Sequence, residues 1–211
     1  MPSLAWRKRD IEVVETVLDK VPFLSLEQVA RTWWPGRTTN AARSRLRQLV
    51  AGGYLWTACV PAHPELPLTD PVIRWHPGDE RPALASVAHH LEHRWTEPAR
   101  PTHIYRATKK AARKFGGDGG RLGHQLHVNH DLHVATVYLL YRSLHPEFVE
   151  RWVSEHHLAA SRRHQKLPDA ALRDARGRVC FIIEGGGSYR LRHLQPFHDD
   201  CERRGLPYEV W

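Results

Sequence analysis

Three carboxylates in the last third of the chain stand where chemistry can be done: Glu155, Asp169 and Glu184. Asp169 follows Pro168 at the start of a short apolar run. Glu184 closes a second run, VCFIIE, with an Arg-Gly-Arg turn between the two. Hard divalent cations such as Mg²⁺ take oxygen ligands and keep waters for a substrate phosphate. Carboxylates from adjacent strands can converge on one such ion, polarise a phosphodiester and activate a water. On this reading Asp169 and Glu184 are the metal ligands and Glu155 completes the set. Gly185-Gly186-Gly187 ends the strand, either to admit a phosphate backbone closely or simply as a turn.

Histidines offer a second chemistry. His89 and His93 are four apart on a helix predicted over ALASVAHHLEHRW, close enough to share a metal. His124, His127, His130 and His133 recur every three residues, a spacing that drifts around a helix. No cysteine accompanies either group, so phosphate contact or packing suits them better than zinc. Cys59, Cys180 and Cys201 are odd in number and lack CxxC spacing. That suggests a reducing compartment, hence the cytoplasm, without a disulfide framework. No run is apolar enough to span a membrane, and the first residues lack the apolar core of a secretory leader.

The elements that must position these residues fall into two halves. The 211 residues carry a net charge of +8, and residues 1–115 hold 18 basic against 11 acidic side chains. The N-terminal half is therefore the expected partner of a polyanion. Its pattern predicts a helix after Asp10, with Ile11, Val14, Val17 and Leu18 on one face. A short second helix follows Ser25, and Pro35-Gly36 makes a turn. A third helix spans about residues 40–51, capped by Thr38, Thr39 or Asn40 and stopped by Gly52-Gly53. Arg43, Arg45 and Arg47 fall largely off its apolar face, and Arg37 precedes it. The strands YLWTACV and HIYRAT and the helix KKAARKFG come next. Three helices and a returning strand pair outline a winged helix, in which the helix after the tight turn enters the major groove. The expected DNA contacts are Arg37, Thr39, Asn40, Arg43, Arg45, Arg47, Arg106, Lys109 and Lys110. Residues 61–101 interrupt the strand pair and are expected to be an enlarged wing or an insertion. Residues 116–123, GGDGGRLG, are the expected linker. Beyond it a helix with Val134, Val137, Tyr138 and Tyr141 as core, then a β–β–β–α–β order, predict a small mixed sheet flanked by helices.

The order of motifs resembles a known family. IYRATKKAARKFG, GHQLHVNHDLHVA, RWVSE, KLPDAAL and FIIEGGG follow one another as in the bacterial replication-relaxation family of plasmids and other mobile elements. Pro168-Asp169 with Glu184 beyond it resembles the PD-(D/E)XK nucleases. The resemblance implies an α+β chain. Residues 1–115 would be a winged helix-turn-helix, and residues 124–211 a restriction-endonuclease-like domain with Glu155, Asp169 and Glu184 as its acidic set. It implies double-stranded DNA as partner, a role in replication control, relaxation or mobilisation, and a homodimer or other mobile-element proteins as further partners. Active members carry a lysine two residues after the final glutamate, where this chain has Gly186. A substitute cation would have to be Lys166, Arg190 or Arg192. The nuclease-like half is therefore expected to hold DNA or a partner without cutting, with no cofactor required. The alternatives are a Mg²⁺-dependent endonuclease using the three acids, and a regulator that uses only the winged helix.

Overall fold

In the computed structural model, residues 4–117, 127–159 and 167–211 are described. Lys166, His124 and most of the expected linker, residues 118–123, lie outside them. The chain is a mixed α+β protein that divides into two compact units. One comprises Met1–Ala62 and Ala99–Ala135, the other His63–Pro98 and Thr136–Trp211.

The first unit opens with α1 (Lys8–Glu15), which runs into a π-turn at Thr16–Lys20. Arg7, not Asp10, is the N-cap. Asp10 lies inside the first turn, and its carboxylate accepts the Arg7 N–H at 2.8 Å. β1 (Leu24–Ser25) leads into α2 (Leu26–Trp33), where Ser25 and Gln28 form a reciprocal capping box. α3 (Thr39–Ala51) buries Ala42, Leu46 and Leu49 on one face. Gly53, at φ +74°, takes the left-handed position beyond its end, and the Tyr54 N–H reaches back to the Leu49 carbonyl at 3.0 Å. β2 (Leu55–Ala62) and β4 (Arg100–Ala107) pair antiparallel along their whole length, Thr57 opposite Tyr105, and β1 adds to the far edge of β4. α5 (Lys109–Phe115) follows, capped by Thr108.

The first unit continues past the expected linker. α6 (Val128–Leu144) contributes its residues up to Ala135. Leu132 packs with Phe23, Ala62 and Ile104, and its carbonyl accepts the buried Gln28 amide at 2.8 Å. A buried amide needs such a partner, and this one fixes the helix to α2.

The second unit is a five-stranded mixed sheet in the order β3-β8-β7-β6-β5. Its strands are β3 (Ile73–Trp75), β5 (Trp152–Ser154), β6 (Ala170–Arg173), β7 (Val179–Glu184) and β8 (Tyr208–Val210). Only β7–β8 is parallel. Helices α4 (Leu84–His93), α7 (Glu155–Ala159) and α8 (Leu191–Arg204) complete it. Residues 63–98, nearly all of the insertion expected at 61–101, interrupt the β2–β4 pair and belong to this unit. β3 forms the sheet edge against β8, and Leu84, Ala88 and Leu91 of α4 share a core with Leu158, Ile182, Leu194 and Tyr208. Those apolar side chains can leave water only by packing on this sheet.

Candidate functional site

In the first unit, the candidate surface is the side of α3 opposite its buried face. Arg37, Thr39 and Asn40 are exposed at its N-terminal end, as are Ser44 and Arg47 further along. Ser44 was not a sequence candidate, because serine on a helix face carries no signal until the buried face is known. Arg43 and Arg47, one turn apart, line a cleft of about 310 Å³ with Thr57 of β2 and His103 and Tyr105 of β4. The two guanidinium groups lie near enough to favour the Tyr105 phenolate, but burial dominates and holds that phenol above its ordinary pKa.

Arg45 does something else. Its Nη2 and Nε donate to the two oxygens of Asp10 at 2.6 and 3.0 Å, and Nη2 also reaches the Ala5 carbonyl. The pair is nearly dry: 11% of the Arg45 side chain and none of the Asp10 side chain is exposed. The Asp10 hydrogen bond, outweighing burial, raises the Arg45 pKa. Arg45 is therefore the clasp between α1 and α3 and is not presented to a ligand.

Lys110 also has an internal duty. Its Nζ donates to the Gly52 carbonyl at 2.7 Å and lies 4.6 Å from the Tyr54 ring centroid. A cation there complements the negative end of α3. Lys109 is exposed. The Arg106 guanidinium lies over Trp56, an aromatic that is 43% exposed.

In the second unit, register brings the acids into a row. Ser154 pairs with Ala170, and Ala170 with Ile183. One register position beyond this row stand Glu155, Asp169 and Glu184, Asp169 one step back along its antiparallel strand. Glu155 is the first residue of α7, not part of a strand as expected, and its N–H donates to the Asp169 carbonyl at 2.9 Å. The Asp169 N–H donates to Glu184 Oε2 at 3.3 Å, and the Gly185 N–H to Asp169 Oδ2 at 2.7 Å. Burial rises across the row, from exposed Glu155 through half-buried Asp169 to buried Glu184.

Tyr189, which the sequence reading did not single out, stands at the centre. Its hydroxyl donates to Glu184 Oε1. Burial chiefly, then the charges of Glu184 and Asp169, push the phenol far above its ordinary pKa, and Glu155 adds to the effect. The phenol stays protonated and serves as a donor. Nothing in the sequence marks it, since its place depends on how the chain returns after the glycines.

The row does not enclose an ion as it stands. Among the described residues, the trio whose ligand atoms lie within 4.8 Å of one another is His198, Asp199 and Glu202, not the acidic row. Both Glu184 oxygens are already hydrogen-bonded. Mg²⁺ demands near-ideal octahedral geometry, so binding it here would require these carboxylates to rearrange.

The position two residues after Glu184, where the resemblance would put a lysine, is closed. Gly186 has φ +64°, and a Cβ there would meet the Trp211 carbonyl oxygen at 2.8 Å and Val210 Cγ1 at 2.9 Å. β7 ends at Glu184, so the chain turns away where a lysine-bearing strand would continue. Arg94 holds the turn, donating to the carbonyls of Trp211 at 2.6 Å and Gly185 at 2.8 Å. Burial lowers its pKa to about 10. Arg190 is paired with Glu92 at 2.8 Å, and Arg192 lies against His193.

The exposed His89 and His93 rings lie 4.5 Å apart with their planes tilted at 44°, and His93 Nδ1 is 2.8 Å from the His89 carbonyl oxygen. Neither they nor His127, His130 and His133 join a three-ligand group among the described residues. No described helix is long and apolar enough to cross a membrane. No protein-family model, curated protein or solved structure matches the chain.

Proposed function

We propose that the chain is a double-stranded-DNA-binding protein of a plasmid or other mobile element, acting in the cytoplasm in replication control, relaxation or mobilisation. In this reading the first unit is a winged helix. α3 enters the major groove, and the β2–β4 ribbon is the wing beside the backbone. The observation that carries it is the exposed set Thr39, Asn40, Ser44 and Arg47 on a helix that buries Ala42, Leu46 and Leu49, with exposed Arg37 just before it. Arginine and asparagine are the side chains that read guanine and adenine edges bidentately. The second unit is a PD-(D/E)XK-like module, as in the replication-relaxation family, that holds DNA or a partner without hydrolysing it. Its support is the turn at Gly186, which leaves no room for the usual cation.

Duplex binding measured by fluorescence anisotropy across a salt series tests the first part. Asn40→Ala and Arg47→Ala are expected to weaken binding, the arginine change also flattening the salt dependence by about 0.9 in log–log slope. Unchanged affinity in both removes α3 from the interface.

The row Glu155–Asp169–Glu184 favours a second reading, a Mg²⁺-dependent endonuclease. Supercoiled and linear duplex incubated with Mg²⁺ or Mn²⁺ separates the two. Cleavage that disappears in Asp169→Asn and Glu184→Gln would establish the endonuclease. We expect intact DNA.

A further inference from the structure

α8 carries a second group of ligand-type side chains, away from the acidic row. His198 and Glu202 lie one turn apart on one helix face, with Asp199 beside them. One ring nitrogen of His198 and one oxygen from each carboxylate lie within 4.8 Å of one another. An ion bound at about 2.0–2.2 Å from nitrogen and oxygen donors draws them closer still, which two outward-facing carboxylates can do by rotation.

Acidic groups on a helix surface are common; the histidine is what sets this one apart. His198 has no exposed surface, and its Nδ1 lies 2.9 Å from the Tyr208 hydroxyl. Its Nε2 is buried without a hydrogen-bond partner. A buried polar atom left unpaired is costly and uncommon. The ring is held edge-on to Trp75, centroids 5.1 Å apart. With Nδ1 donating to the Tyr208 hydroxyl, the ring would present a lone pair at Nε2, the usual form of a metal-ligating histidine.

We propose that His198, Asp199 and Glu202 bind one divalent transition ion of the Zn²⁺ and Co²⁺ class, with Tyr208 orienting the imidazole. The mixed nitrogen and oxygen set suits these ions better than Mg²⁺ or Ca²⁺, which prefer oxygen alone. Burial, then the charge of Arg81, hold the His198 pKa below its ordinary value against the opposing pull of Glu202 and Asp199. Arg81 occupies Asp199 Oδ1 at 2.7 Å, in a pair whose side chains are both 47% exposed, so Oδ2 remains for the ion. The site stands independently of the DNA reading.

Co²⁺ is the probe, titrated into the full-length chain and followed by its visible absorption bands. One equivalent is expected, displaced by Zn²⁺ and not by excess Mg²⁺. Asp199→Asn with Glu202→Gln should lower the affinity tenfold or more and leave the metal-free melting temperature unchanged. His198→Ala should abolish the band; if that variant fails to fold, the double carboxylate variant decides. Asp169→Asn and His89→Ala/His93→Ala should retain it. Wild-type affinity in the double carboxylate variant, no band in the wild type, displacement by Mg²⁺, or loss of the band in either control would each overturn the assignment.

Discussion

Arg45 and Arg47 stand two residues apart on the same helix, yet their replacement by alanine should fail in opposite ways. Arg45→Ala strands Asp10, which has no exposed side-chain surface. Removing one partner of a buried pair costs about 3–5 kcal/mol. Here the Arg7 N–H remains on Asp10, and the Arg45 side chain keeps 11% exposure, so the loss should come to about 2–4 kcal/mol. Against a total stability of about 5–15 kcal/mol this is large. Arg47 is exposed, and its loss should stay within about 0.5 kcal/mol. DNA binding should show the reverse. Arg47→Ala should reduce the salt slope, while Arg45→Ala, corrected for its folded fraction, should retain the wild-type slope. Urea denaturation followed by tryptophan fluorescence gives the stabilities, and anisotropy titrations at four salt concentrations give the slopes. An Arg45→Ala variant as stable as the wild type that loses slope as Arg47→Ala does would refute the clasp. So would Asp10→Leu with Arg45→Leu, which removes both charges, proving no more stable than Arg45→Ala alone.

Gly186→Ala should destabilise the chain by about 2–4 kcal/mol in the same urea assay, since a left-handed backbone and an overpacked Cβ each cost about 1–2 kcal/mol or more. Gly186→Lys should therefore lose folded protein, and a well-folded lysine variant would show that the turn can reopen. Tyr105, Tyr141, Tyr189 and Tyr208 all have phenol pKa values raised chiefly by burial. Folding favours their protonated forms, so their contribution is intact below the ordinary phenol pKa of about 10 and is lost as pH rises above it. Absorbance at 295 nm should show these four ionising only as the chain unfolds; early ionisation of all six tyrosines in folded protein would contradict the packing. Ser25→Ala should cost about 1 kcal/mol of stability through loss of the α2 cap, read from the denaturation midpoint.

What the sequence made legible was local. The α2 start could be read at Ser25 with Gln28 three residues on, because a capping box is short-range chemistry. The α3 stop could be read at Gly52-Gly53 for the same reason. The pairing of Asp169 with Glu184 followed from two short apolar runs joined by Asp174–Arg178, where the hairpin turn is tight. Long-range partners were not legible. Nothing beside Arg45 distinguishes it from Arg43 or Arg47, since its partner is 35 residues away. The insertion between β2 and β4 was legible, but not the unit it packs in, for a similar reason: VIRW reads as a strand, but its neighbour, Tyr208–Val210, lies at the other end of the sequence. The change in strand direction at Glu184 depends on Gly186 meeting Trp211 and Val210, a contact no periodicity encodes.

The pairing of Ile73 with Val210 has a consequence for synthesis on the ribosome. The first unit ends at Ala135, so all of its residues are made while the rest is still being translated. Residues 63–98 emerge before that point, yet their sheet neighbour, Tyr208–Val210, is made more than a hundred residues later. Trp75, Leu84 and Leu91 must therefore wait in the open through more than a hundred residues of translation. At about 5–20 residues per second this is an interval of several seconds or more, long enough for a nascent-chain chaperone to hold an apolar segment. Production in the cell should thus depend more on the speed of translation after Pro98 than on the stability of the finished fold.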